Sequence, residues 1–186
     1  MENTVTNYFK GRGAQFNTIN KFHKNQYAQE HIEALDEEFL QKEKTEIIYT
    51  YPKTIINKVE STDIGMGYSL NPYQGCEHGC IYCYARNSHE FWGYSAGLDF
   101  ERKIIVKKNA VELLEKTFSQ KNWKVKPIML SGNTDCYQPV EREMELTRNI
   151  LKTCLKYKHP VSIITKNSLI TRDIDVLTEL SEHNLV

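Results

Sequence analysis

Three cysteines crowd into eight residues of the run Asn71-Pro72-Tyr73-Gln74-Gly75-Cys76-Glu77-His78-Gly79-Cys80-Ile81-Tyr82-Cys83-Tyr84-Ala85-Arg86. Their spacing is C-x3-C-x2-C. Cysteine thiolates hold iron–sulfur clusters, and soft sulfur ligands favour such centres over hard divalent cations. A four-iron cubane held by Cys76, Cys80 and Cys83 keeps one iron without a protein ligand. The amino and carboxylate groups of a methionine-like molecule can chelate that open iron. Gly75 and Gly79 allow the backbone to fold closely around a bulky inorganic group. The competing reading is structural zinc with His78 as fourth ligand. His78 lies two residues from both Cys76 and Cys80, which cramps a tetrahedral site.

The elements that must position this loop follow an alternating pattern. Ile104–Val106 is a short β-branched run, and Asn109 then suits the N-cap of a helix with Val111, Leu114 and Phe118 on one face. Pro127–Leu130 is strand-like and ends in the turn-rich Ser131-Gly132-Asn133-Thr134-Asp135. Pro139 suits the start of the next helix, which should bury Val140, Met144, Thr147, Leu151 and Cys154 or Leu155. Val161–Thr165 reads as a buried strand, with Lys166 and Asn167 at its C-terminal end. Thr171 begins a helix with Ile174, Leu177 and Leu180 inward, ended by Asn184. Leu185–Val186 look like the first residues of another strand. A repeat of roughly 33 residues of this kind marks parallel βαβ units. The expected class is α/β, a piece of a longer barrel or half-barrel. The core domain is placed at 61–186 and an N-terminal extension at 1–60. That extension holds a charged helical segment at about Gln26–Glu43, with Ile32, Leu35, Phe39 and Leu40 at helical spacing, and a β-prone run at Glu46–Tyr51.

Composition narrows the function classes. The 186 residues are 40% apolar and 26% charged, and 24 Lys plus Arg balance 24 Asp plus Glu. That balance removes the simplest electrostatic argument for a nucleic-acid partner. The polar N-terminus carries no secretory pattern, and no apolar run approaches the ~18 residues of a membrane span. Five cysteines, odd in number and clustered, suit a metal centre in a reducing cytoplasm rather than a disulfide scaffold.

The segment CEHGCIYCYAR resembles the cluster loop of radical S-adenosylmethionine (SAM) enzymes. The longer runs SLNPYQGCEHGCIYCYARNSHEFWGYSAGLDFE, SGNTDCYQPVERE and TKNSLITRDIDVL, with GRGAQFN near the N-terminus, resemble an uncharacterised bacterial branch of the spore photoproduct lyase-like, or DNA repair photolyase, group. The resemblance runs from about Gly11 to the end of the chain, broken in the stretch before Pro52. It implies a partial (β/α)6 barrel, truncated after about three βα units, with the cluster loop after the first strand. It also implies a [4Fe–4S] cluster on Cys76, Cys80 and Cys83, bound SAM, and an electron donor such as flavodoxin or ferredoxin. Reductive cleavage of SAM would yield a 5′-deoxyadenosyl radical, used by analogy on a nucleic acid. Tyr82 matches an aromatic residue near the adenine. Ser131 and Thr134 fall where the family holds the methionine amino group, and Lys166 matches a lysine that contacts SAM. The lyase's hydrogen-donating cysteine aligns with Gly132, a departure that weakens the substrate analogy. Tyr84 and Cys136 are the candidates for carrying a hydrogen atom. Cys154 reads as core, and Arg86 and Glu90 as loop-anchoring charges.

Overall fold

The computed structural model describes residue 9 and residues 11–22, 44–59 and 67–186. The helix expected at about Gln26–Glu43 lies outside these residues, as does the division placed near residue 60. The chain forms two compact units, one of residues 1–47 and 75–104, the other of residues 48–74 and 105–186. In chain order the strands and α-helices are β1 (Glu46–Thr50), β2 (Ile56–Lys58), β3 (Tyr68–Leu70), β4 (Tyr73–Gln74), α1 (Leu98–Arg102), β5 (Lys103–Lys107), α2 (Ala110–Phe118), β6 (Ile128–Leu130), α3 (Glu141–Met144), α4 (Leu146–Lys156), β7 (Val161–Ile163) and α5 (Ile174–Glu182). Two 3-10 segments, Tyr84–Trp92 and Ser168–Asp173, join them.

The second unit is built on the sheet β2-β3-β6-β7. Strands β3, β6 and β7 run parallel, with Leu70 opposite Leu130 and Leu130 opposite Ile163, while β2 pairs antiparallel with β3. All three residues of the central β6 are buried, which is why its sequence is an unbroken apolar run. The sheet is open, and no closed barrel forms among the described residues. Ile104–Val106 does not lead the parallel series, contrary to the sequence pattern. It lies in β5, which pairs antiparallel with β4 in the separate sheet β1-β5-β4. The first parallel strand is β3 instead. A buried β-branched run looks the same in either kind of sheet, and the three residues Tyr68-Ser69-Leu70 are too few to show a period.

Helices α2, α4 and α5 pack in sequence order, α2 on α4 and α4 on α5. They close a core with Leu114 from α2, Ile150, Leu151 and Cys154 from α4, and Val176 and Leu180 from α5. Full burial of one such aliphatic side chain contributes about 1.5–3 kcal/mol. Asn109 does precede α2, but its amide donates to Pro52 O at 3.0 Å rather than capping the helix. The helix expected from Pro139 onward breaks at Glu145, which takes φ 50°. The break turns the Glu141 carboxylate inward, where it accepts Thr147 N at 3.0 Å and caps the first turn of α4. Helix α5 starts after the 3-10 segment, so Ile174 stays 63% exposed where an inward position was expected. Its buried stripe is Val176 and Leu180. Leu185 and Val186 form no strand; the Leu185 carbonyl accepts Val161 N at 2.7 Å. No helix among the described residues is long and apolar enough to cross a membrane.

Candidate metal centre

The cysteine loop belongs to the first unit. Gly75 and Gly79 both take positive φ, 80° and 63°, and a side chain at Gly75 would meet the Lys103 carbonyl at 2.7 Å. The Cys76 amide donates to Phe100 O at 2.8 Å, and Cys83 N donates to Cys80 O at 3.3 Å. Cys76 is buried against Ala85 and Phe100, with Cys83 partly buried beside them. All three thiols are free of disulfides, and Cys80 and Cys83 are half-buried. His78 Nδ1 stands 3.5 Å from Cys76 Sγ. Among the described residues, no three His, Cys, Asp or Glu side chains converge on a site for a single metal ion. A cubane asks for something different, one thiolate per iron at three separate corners. Three soft thiols, none in a disulfide, on one tightly turned loop fit that group.

Tyr82 and Tyr84 are both exposed, with Ile81 beside them. Arg86 anchors the loop as its sequence position suggested, donating to Cys80 O at 2.9 Å. Glu90 pairs with Lys21 at 3.2 Å. His89 was given no role in the sequence. It is fully buried, near the rings of Tyr94 and Phe100, and neither ring nitrogen has a hydrogen-bond partner. Burial pushes its pKa down to about 4.

The remaining candidates lie in the second unit, at the C-terminal ends of its parallel strands, where ligands of such sheets collect. Ser131 takes φ 65° directly after β6, and its hydroxyl accepts Cys136 N at 2.7 Å. Thr134 is buried, and its hydroxyl donates to Tyr73 O at 2.7 Å. Lys166 is exposed, and its amide donates to Asp135 Oδ2 at 2.9 Å. Asp135 Oδ1 accepts from the Thr165 hydroxyl at 2.7 Å, so one carboxylate ties the end of β6 to the end of β7. Asn71 does the same between β3 and β6, its Oδ1 accepting Asn133 N at 2.9 Å and Thr134 N at 3.3 Å. Ser131, Thr134 and Lys166 thus share one edge of the sheet. Cys136 is instead packed in the core, where burial pushes its thiol up to about 12. Cys154 is core as well.

Residues 70–186 match the profile of the radical SAM superfamily. The chain belongs to this superfamily. An uncharacterized protein of Methanocaldococcus jannaschii is 36% identical over 139 residues, 74% of this chain and 49% of that protein. One from Mycobacterium tuberculosis strain H37Rv is 33% identical over 131 residues, 70% of this chain and 38% of that protein. One from the Acidianus two-tailed virus is 30% identical over 125 residues, 64% of this chain and 40% of that protein. The chain therefore spans less than half the length of these relatives. No solved structure gives a significant match.

The matched radical SAM region holds every candidate of the cysteine loop and the strand ends, whereas Gly11–Asn17 precedes it. Sequence reasoning missed the two ties, Asn71 and Asp135, as organisers of the strand ends. The available signal was a short side-chain acceptor just beyond each apolar run. It also missed the buried network behind them. Glu141 accepts from the Tyr73 hydroxyl and Arg172, and Asp173 accepts from Tyr137, Arg148 and Arg172. The paired arginines hold the Asp173 carboxyl below its ordinary range despite its burial.

Proposed function

We propose that this chain carries the cluster-binding part of an enzyme that cleaves SAM reductively, with Cys76, Cys80 and Cys83 holding a [4Fe–4S] cluster. The observation that carries the reading is the trio of disulfide-free thiols on one loop, inside the region that matches the superfamily. Held by Cys76, Cys80 and Cys83, such a cluster would supply the single electron needed to cleave the SAM sulfonium and so the radical chemistry applied to a substrate. A flavodoxin or ferredoxin is the matching electron source. Lys166 offers an ammonium group to the methionine carboxylate, a charge-assisted pairing. Thr134 donates its own proton to Tyr73 O. Its oxygen thereby remains an acceptor, the polarity that a methionine ammonium requires. Ser131 stands at the head of that turn, its hydroxyl oxygen accepting Cys136 N and keeping a second lone pair for the ammonium, and the Tyr82 ring offers an apolar face to adenine. Tyr84 is placed on the surface of the loop and suits hydrogen-atom transfer better than Cys136, whose place in the core is a packing position.

A nucleic acid is the substrate suggested by the spore photoproduct lyase-like resemblance. A radical enzyme acting on another substrate is the second reading. Gly132, which occupies the position of the lyase's donor cysteine, and the net charge of +0 both favour it. Anaerobic purification with iron and sulfide analysis tests the cofactor assignment. About four irons per chain and 5′-deoxyadenosine formation on reduction are expected. Alanine at Cys76, Cys80 or Cys83 should abolish the cluster, and Cys136→Ala should keep it. Stoichiometric zinc without SAM cleavage would instead identify a non-catalytic metal-binding fragment.

A further inference from the structure

The segment Gly11-Arg12-Gly13-Ala14 lies far from the cysteines in sequence, yet it is bound to their loop within the first unit. The centre of the contact is Glu101, whose side chain is fully buried. Its carboxylate accepts Gly13 N at 3.1 Å and Ala14 N at 2.8 Å, one on each oxygen. The same carboxylate forms an ion pair with Arg86. Arg86 reaches on from there to Cys80 O at 2.9 Å and Gly97 O at 3.3 Å. Arg12 completes the frame, donating to Glu101 O at 2.6 Å and to the Thr45 hydroxyl at 2.9 Å. That hydroxyl donates to the Glu77 carboxylate at 2.7 Å, one residue beyond Cys76.

Sterics make the contact specific. A Cβ at Gly13 would sit 2.1 Å from the Gly79 carbonyl oxygen, and one at Gly79 would sit 2.9 Å from Gly11 O. Gly13 does not take positive φ, so only the closeness of the two backbones demands a glycine there. A buried carboxylate satisfied by two amides and one guanidinium is expensive to disrupt, because its charge would be left without partners. The Gly-Arg-Gly-Ala run therefore has a physical reason that no helix, strand or cofactor contact supplies.

We propose that Gly11–Ala14 is a strap that sets the shape of the cysteine loop through Glu101, making Gly13, Arg86 and Glu101 positioning residues for the cluster; this rests on the cluster assignment made above. Groups that orient first ligands in this way typically change metal affinity by about 10–100-fold when altered. The test compares the parent with Glu101→Gln, Arg86→Lys and Gly13→Ala after anaerobic reconstitution. It measures iron content, the rate of iron loss to a chelator, and the cluster's reduction potential, with far-UV circular dichroism as the check on folding. Glu101→Gln keeps the shape but loses the charge that pairs with Arg86. Arg86→Lys keeps the charge but cannot span Glu101 and Cys80 O together. Both should release iron at least about tenfold faster than the parent, with native-like circular dichroism, and Gly13→Ala should be the most severe. Should Gly13→Ala fail to fold, the other two decide. Folded Glu101→Gln and Arg86→Lys that load and hold iron like the parent overturn the strap. A parent that takes up no iron overturns the cluster assignment itself.

Discussion

Replacing Asn71 by alanine should loosen the strand-end turn without touching the hydrophobic core. Asn71 is 6% exposed, and its side-chain oxygen accepts the amides of Asn133 and Thr134. Alanine leaves both donors without that acceptor. Thr134 is 2% exposed, so its N–H cannot turn to water. Asn133 is half-buried, and solvent can replace part of its loss. An orphaned buried donor costs about 1–3 kcal/mol, so the pair amounts to about 2–3 kcal/mol. For a chain of this size, that lowers the thermal midpoint by about 5–10 °C. Asn71→Asp keeps an acceptor in place, and Lys107 Nζ, 2.8 Å from the Asn71 carbonyl, supplies a nearby cation. It should recover most of the loss. Thermal unfolding followed by circular dichroism, with SAM binding by calorimetry on reconstituted protein, reads both effects. Asn71→Ala should also weaken SAM binding, since the Ser131–Asp135 turn loses its tie to β3. An alanine variant within about 1 °C of the parent, or an aspartate variant as unstable as the alanine one, would refute the reasoning.

Acid should destabilise the iron-free protein through His89. Its pKa is driven to about 4 by burial, against ~6.5 in the unfolded chain, so the unfolded state binds more protons between these values. The stability contribution is intact above ~6.5 and is lost as pH falls toward the folded value, by up to about 3 kcal/mol. Urea titrations between pH 7 and 4.5 should show this slope in the parent and a flatter one in His89→Leu. Gly132→Cys, which places a thiol where the proposed resemblance puts the lyase's donor cysteine, should fold with a penalty of about 1 kcal/mol. The new Cβ would meet Met129 Sδ at 3.2 Å, on a flexible side chain able to shift, and Ser69 Cβ at 3.3 Å, which must give by a few tenths of an ångström with strand β3. A midpoint drop beyond about 8 °C would contradict that. Leu180→Ala should cost about 2–5 kcal/mol, whereas Ile174→Ala should stay within about 0.5 kcal/mol; denaturant unfolding of the two separates a core position from an exposed one.

The cysteine loop and the two later parallel strands were legible because they are local. Spacing along the chain is all that a metal-binding cysteine motif consists of, Ile128–Leu130 is an unbroken buried apolar run, and Val161–Thr165 is a mostly β-branched stretch around Ser162. Strand β3 is not legible from its own residues as the leader of that series, although the resemblance implied a strand before the cysteine loop. Tyr68-Ser69-Leu70 mixes polar and apolar residues over three positions, and its place is fixed by pairing with β2 and β6. The Glu145 break was hidden for a different reason. The apolar spacing runs through it unbroken, and only the inward turn of Glu141 requires the interruption. Ile174 keeps helical step with Leu177 and Leu180, but α5 begins at that residue, and its buried stripe runs instead through Val176 and Leu180. Among the candidate residues, Thr134 and Lys166 are readable as following apolar runs, and both do lie beyond strands, β6 and β7. Asn71, Asp135 and the partners of Glu101 depend on contacts between segments far apart in sequence, which no single-chain pattern encodes.

Strands β4 and β5 pair Tyr73 with Val106 and Gln74 with Ile105, so the chain leaves the second unit and re-enters it through two neighbouring residues. Everything from Gly75 to Ile104 is an excursion with its feet fastened together. The polypeptide entropy of closing that excursion is met when the two short strands zip. The two short strands therefore hold the ends of the excursion together whatever its length, so insertions within it leave the strand register undisturbed. Amide exchange would register that fastening as protected amides in β4 and β5.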